Sequence, residues 1–174
     1  FYFAGTAGTS LWRTWLLFKN STEFGVKDVQ FNLDISFYAF RLPFWQSLIS
    51  WGFSALILAI LASGAVHYLY GGLRPQMRED RTTPFARVQL SVLLGLVVLL
   101  KGVAYWFDRY ALSLKENKLI TGLTYSDVNA LLPAKAILAG IAIICSLLFF
   151  ANIFRKSLFL PASGTALLVI SSVL

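Results

Sequence analysis

The sequence predicts an all-α polytopic membrane protein segment, with three complete transmembrane helices and one truncated, and three observations predict it. The composition is apolar, with 57% of the 174 residues hydrophobic and 13% charged, where a soluble domain carries roughly 45–50% and about 25%. The charges are gathered rather than dispersed, since none of the 15 Lys and Arg or the 8 Asp and Glu lies between Arg41 and Arg74 or between Lys135 and Arg155. The uncharged runs reach the ~20 residues needed to cross a hydrocarbon core of ~30 Å. Such a chain is neither disordered nor a disulfide scaffold. The +7 net charge does not mark a nucleic-acid binder, because the basic residues collect at the ends of apolar runs, as membrane topology requires.

Residues 1–42 read as an interfacial segment ahead of a helix bundle over 43–174. In Ser10–Phe18, Leu11, Trp12, Trp15, Leu16 and Phe18 surround Arg13, with Lys19 following, which suits a short helix in the headgroup layer. From Phe31 to Phe37 the apolar residues Phe31, Leu33, Ile35 and Phe37 alternate with Asn32, Asp34 and Ser36. That is the period of a strand, yet Asp34 is equally placed to cap a helix leading into Pro43. The first span covers about 44–70, with Pro43 suited to its first turn and Gly71-Gly72 to its end. The second covers about 85–110, interrupted by Lys101, and the third about 133–154, opening at Pro133. The fourth, from Pro161, has 14 residues through Leu174, roughly 21 Å at ~1.5 Å each, too short to cross. The chain, which opens on Phe1 with no signal peptide, therefore reads as a fragment of a larger protein.

Small residues recur at four-residue spacing: Ala55, Ala59 and Ser63 on the first span, Ser91 and Gly95 on the second, Ala136 and Gly140 on the third. Such faces let helix backbones approach in lipid, where packing rather than water exclusion drives association. No internal repeat is evident.

Few residues carry chemistry. Cys145, the sole cysteine, sits among Ile143, Ile144, Leu147 and Leu148 and reads as a small core hydrophobe. His67, the sole histidine, has no metal-ligating residue three or four positions away and reads as an interfacial group. Asp108-Arg109-Tyr110 matches a receptor tripeptide by coincidence. The glycines of Ala4–Gly8 and Gly71-Gly72 lack the Lys and hydroxyl of a phosphate loop. No catalytic set, cofactor site or metal site is expected, and no enzyme. Lys101 is the exception, a charge inside an apolar run, where burial at depth costs about 2.5–3.5 kcal/mol. It can relay an ion, snorkel to the interface or pair with a carboxylate such as Asp34 or Asp108.

Three passages together resemble a known family: Thr121–Lys135, Phe24–Asp28 running on through Asp34–Tyr38, and Ala104–Tyr110. They are similar, in order, to the UPF0182 family of large bacterial membrane proteins, found mainly in actinobacteria and cyanobacteria. The chain differs from the family pattern at Val29, where a Pro is common, and at Asn32, where a Gly is common. The resemblance implies a set of N-terminal spans followed by a large extracytoplasmic region, of which this chain would supply the fourth to the seventh span. It implies no activity and no catalytic residues.

Orientation follows from Lys and Arg in short loops. Arg74, Arg78, Arg81 and Arg87 crowd the turn between the first two spans, and Arg155-Lys156 the turn after the third. Loop 71–84 is thus expected in the cytoplasm of a bacterial cell, with 1–42 and 111–132 extracytoplasmic. The function expected is a membrane anchor and interaction module for a large extracytoplasmic domain or a membrane complex. The alternative is a transporter or channel for a lipid-like or ionic substrate. The partners expected are the lipid bilayer, other membrane subunits and the missing remainder of the chain, with no nucleic acid.

Overall fold

The computed structural model describes residues 2–73, 82–114 and 122–151. The fourth span, Arg155-Lys156, Arg74, Arg78 and Arg81 lie outside the described residues. Four helices account for most of the rest: α1 (Tyr2–Lys19), α2 (Leu42–Leu69), α3 (Pro84–Ala111) and α4 (Leu132–Ala151). Short wide turns precede α2 at Phe37–Arg41 and α4 at Asp127–Leu131, and a 3₁₀ turn, Leu112–Leu114, follows α3. With those turns, three helices are long and apolar enough to cross a membrane: Phe37–Leu69, Pro84–Leu114 and Asp127–Ala151. The expected spans at 44–70, 85–110 and 133–154 overlap these three helices, but the helices around Pro43 and Pro133 begin earlier, the first ends at Leu69, and residues 152–154 lie outside the described ones. The short helix expected from Ser10 likewise begins earlier, at Tyr2.

The chain divides into two compact units, Phe1–Trp51 with Ala104–Ala136, and Gly52–Val103 with Ile137–Leu174.

In the first unit the strand reading of Phe31–Phe37 gives way to the helix reading. Only an isolated antiparallel bridge joins Lys27 and Asp34, and the chain turns helical from Ile35. The reason is Asp34, whose Oδ1 accepts the Ser36 amide at 2.8 Å, satisfying a donor that a helix N-terminus leaves open. Thr124 caps the other helix reciprocally. Its amide and hydroxyl donate to Asp127 Oδ2 at 2.9 and 2.6 Å, and the Asp127 amide returns a bond to Thr124 Oγ1 at 3.3 Å. This is a capping box with Asp in the third position. The third span, expected to open at Pro133, therefore belongs to one helix, Asp127–Ala151, that passes through the proline.

Both helices solve the proline problem in the same way. Proline lacks an N–H, and its ring collides with the carbonyl four residues back. Here the residue before each proline reaches five residues back, Leu42 N–H to Phe37 O and Leu132 N–H to Asp127 O, which widens the turn as a π-bulge does. Leu42 and Leu132 are buried, at 0% and 5% exposure. Cap, Ser, five-residue wide turn, Leu and Pro thus recur in register at Asp34–Pro43 and Thr124–Pro133. This short repeat is one that the sequence reading did not find.

In the second unit Gly71 ends α2 as expected. It takes φ of +71°, while Gly72 N–H donates to His67 O at 2.6 Å and Gly71 N–H to Tyr68 O at 3.3 Å, the paired bonds of a Schellman turn. Thr83 and Pro84 start α3, with the Ala86 amide 3.4 Å from Thr83 Oγ1 and Pro at the first helical position, where no N–H is needed. The core of this unit is a seam of Val98, Ala142, Cys145 and Phe149, so Cys145 packs as the small hydrophobe expected. Gly95 and Gly102 bring α3 close to α4. A Cβ on Gly95 would lie 2.9 Å from Phe150 Cε1 and 3.2 Å from Phe149 Cβ, and one on Gly102 would lie 3.2 Å from Ala142 Cβ. The expected seam residues Ser91, Gly95 and Ser63 are buried, but Gly140 is exposed with open space around it. The face α4 uses is instead Ala139, Ala142, Ser146 and Phe149, one register over, because it carries Ser146 and the large Phe149 that fills the space beside Gly95.

Candidate functional site

The polar groups of the first unit sit in the segment before α2 and at the ends of α3 and α4. Residues 24–36 fold around two carboxylates. Asp34 accepts from the Phe24, Gly25 and Ser36 amides at 3.1, 2.9 and 2.8 Å, which Gly25 permits by taking φ of +74°. Hydrogen bonds from Ser36, then from Phe24 and Gly25, favour the ionised carboxylate and hold its pKa down at about 2. Asp28 Oδ2 accepts from the Phe31 amide at 2.9 Å and the Tyr38 hydroxyl at 3.2 Å.

Asp108-Arg109-Tyr110 is structural in all three positions. Asp108 Oδ2 is 3.0 Å from Lys135 Nζ. The Arg109 guanidinium lies 4.6 Å from the Trp106 ring centroid, a cation–π distance. Tyr110 packs against Phe31 and Phe37 at 4.9 and 5.3 Å. Aromatic rings continue through Trp45 stacked on Phe107 at 5.6 Å and Phe18 stacked on Phe44 at 4.6 Å, tying α1 to α2. Rings of this kind favour the membrane–water boundary.

Lys101 lies in the second unit on an exposed face of α3, next to the buried Gly102. The two carboxylates named as its partners are engaged with other groups, Asp108 with Lys135 and Asp34 with main-chain amides. Among the described residues no group of three His, Cys, Asp or Glu is placed to hold a metal ion.

A family model described as "Uncharacterised protein family (UPF0182)" matches residues 1–174. The chain belongs to the UPF0182 family. A UPF0182 protein of Streptomyces coelicolor is 50% identical over 176 residues, covering 98% of this chain and 18% of that protein. One of Nocardioides sp. is 47% identical over 172 residues, 99% and 17%, and one of Nocardia farcinica 50% identical over 173 residues, 98% and 17%. The chain thus spans less than a fifth of the length of the curated relatives it matches. No solved structure matches it.

For this UPF0182 chain, two polar contacts of the second unit went unseen in the sequence because each partner lies on another element. His67 Nε2 is 2.9 Å from Gln89 Oε1, 22 residues on. Ser146 Oγ donates to Gly95 O at 3.0 Å, 51 residues back. The only signal available was helical periodicity, which places residues on a face without naming what the face meets.

Proposed function

We propose that this UPF0182 segment is a multi-pass part of the bacterial plasma membrane that acts as a membrane anchor and interaction module. In this reading loop 71–84 is cytoplasmic and 1–42 and 111–132 are extracytoplasmic. The spans hold a large extracytoplasmic remainder of the chain and pack on other membrane subunits as well as lipid. One observation carries it: the helices are apolar yet little covered by their own chain. Only 11%, 22% and 28% of the most apolar stretches of the three long helices is buried, and Leu58, Leu61 and Leu147 are 65%, 63% and 61% exposed. In a bilayer lipid covers such faces at no cost, and further helices cover them by packing.

The seam that is formed is closed by glycines, buried alkyl groups and Phe149, with Ser146 bonded to a main-chain carbonyl, whereas a transporter midplane gathers several polar side chains on broken helices. Lys101 favours the second reading, transport of a lipid-like or ionic substrate, because a charge on a membrane helix marks a pathway by default. The test uses the full-length protein in its own membrane. A photo-crosslinking residue at Leu58 should give adducts with other membrane proteins, and one at the buried Ala142 should not. Lys101→Met should leave insertion and folding intact. Loss of an ion or proton flux in proteoliposomes of a folded Lys101→Met variant would replace the anchor reading with transport.

A further inference from the structure

The last turns of α2 and the first turns of α3 border an open cleft of about 290 Å³, lined by Ala59, Ala62, Ser63, Val66, His67 and Gln89. Its two ends differ in chemistry. His67 and Gln89 form one end, joined by their 2.9 Å contact. Ala59 and Ala62 form the other, with Ser63 and Val66 between the two. Ser63 is 9% exposed, and its Oγ has no hydrogen-bond partner. A buried hydroxyl left unpaired is costly, and more so facing hydrocarbon than water. On the Ala59 and Ala62 side of Ser63 a water is a poor solution, because it needs two to four polar neighbours and that wall is alkyl.

Depth narrows the occupant. The 33 residues of Phe37–Leu69 span ~50 Å at ~1.5 Å each, against a hydrocarbon core of ~30 Å. A centred helix therefore keeps ~10 Å of each end in the headgroup layer. His67, two residues from Leu69, falls in that layer, and Ser63, six residues from it, falls ~9 Å from the end, at the boundary with the hydrocarbon. A molecule that offers a hydrogen-bond acceptor at that boundary, polar atoms outside it and methylenes within it is a glycerolipid.

We propose that the cleft seats the ester region of one membrane phospholipid. One ester carbonyl accepts from Ser63 Oγ–H, the glycerol phosphate lies beside His67 and Gln89, and the first methylenes run along Ala59 and Ala62. A volume of about 290 Å³ holds roughly ten waters at ~30 Å³ each, so the cleft grips one stretch of the lipid and leaves the rest in the bilayer. This site does not depend on the anchor reading, since an anchor and a transporter can equally hold a resident lipid.

The test uses full-length protein in nanodiscs of phosphatidylglycerol carrying a diazirine near the top of one acyl chain. Irradiation should label residues 59–67 more than the exposed Leu147 segment of α4. Ala62→Phe, which fills the cleft from an exposed position, should lower the 59–67 label about tenfold, and Ser63→Ala, which removes one hydrogen bond, about fivefold. The Leu147 label should not change. Labelling of 59–67 no stronger than at Leu147, or unchanged in a folded Ala62→Phe variant, overturns the proposal. So does equal labelling by a soluble diazirine-bearing glycerol phosphate, which would place a water-borne ligand there instead. If Ala62→Phe elutes as aggregate, the Ser63→Ala ratio decides alone.

Discussion

Ser146 Oγ donates to the Gly95 carbonyl at 3.0 Å, a buried hydrogen bond that joins α4 to α3 at the point where Gly95 lets the two backbones approach. The two residues act together. The missing Cβ opens the space, and the hydroxyl uses a main-chain acceptor that a regular helix also shares with its own amide.

Replacing them should therefore have unequal effects. Ser146→Ala should destabilise the full-length protein by about 0.6 kcal/mol, the average for a hydrogen bond between membrane helices. Gly95→Leu should cost more, about 1–3 kcal/mol of overpacking, because Phe149 Cβ, fixed to its backbone, lies 3.2 Å from the new Cβ. Denaturant titration of the detergent-solubilised protein measures both, and equal effects would contradict the seam.

Asp34 gives a pH dependence with a definite sign. Hydrogen bonds from Ser36, Phe24 and Gly25 lower its pKa from 3.8 to about 2, so the folded state binds the proton less tightly than the unfolded one. Its contribution is complete above ~4 and disappears as pH falls toward ~2. The side-chain carboxyl carbon of a ¹³C-labelled Asp34 should titrate near the lower value by NMR. In Asp34→Asn, protease cleavage of residues 24–36 should be faster at neutral pH, and a titration midpoint at or above 3.8 would remove the cradle from the account.

Asp108 and Lys135 are 43% and 24% exposed at their side chains, so their ion pair is partly screened. A double-mutant cycle with Asp108→Asn and Lys135→Met should give a coupling of roughly 0.2–1 kcal/mol. A coupling of zero would make the pair incidental.

Topology is testable at Thr82, beside the capping Thr83, which is better left intact. In a Cys145→Ala background, Thr82→Cys should resist a membrane-impermeant thiol reagent in whole cells and react once the cells are opened. Ready labelling of intact cells would invert the proposed orientation.

The long helices were legible in the sequence because charge gaps and Gly71 mark their extent, and both signals are local. The α4 seam was not. Ala136 and Gly140 satisfy the small-residue spacing as well as Ala139 and Ala142 do, and what decides between them is where Phe149 and Ser146 meet α3. The run from Phe31 to Phe37 alternates like a strand, but three amides converge on Asp34 from residues 24, 25 and 36, and that convergence sets a helix start. Lys101 was visible as a charge out of place, and its exposed setting on α3 leaves its role to the flux measurement. Membership of the UPF0182 family was legible from three motifs, since they are long and fall in order along the chain.

The wide turns before Leu42 and Leu132 also alter how the two helices must be drawn. Each turn holds one residue more than an α-turn, and one residue is about 100° of rotation around an α-helix. A helical wheel begun at Ile35 and continued without a break therefore assigns every later residue of α2 to the wrong azimuth, and the same holds for a wheel begun at Tyr125. The wheel has to be restarted at the leucine before each proline. Removing a single residue from either turn would leave the long apolar part of its helix on its present face and swing the capped end around the axis instead.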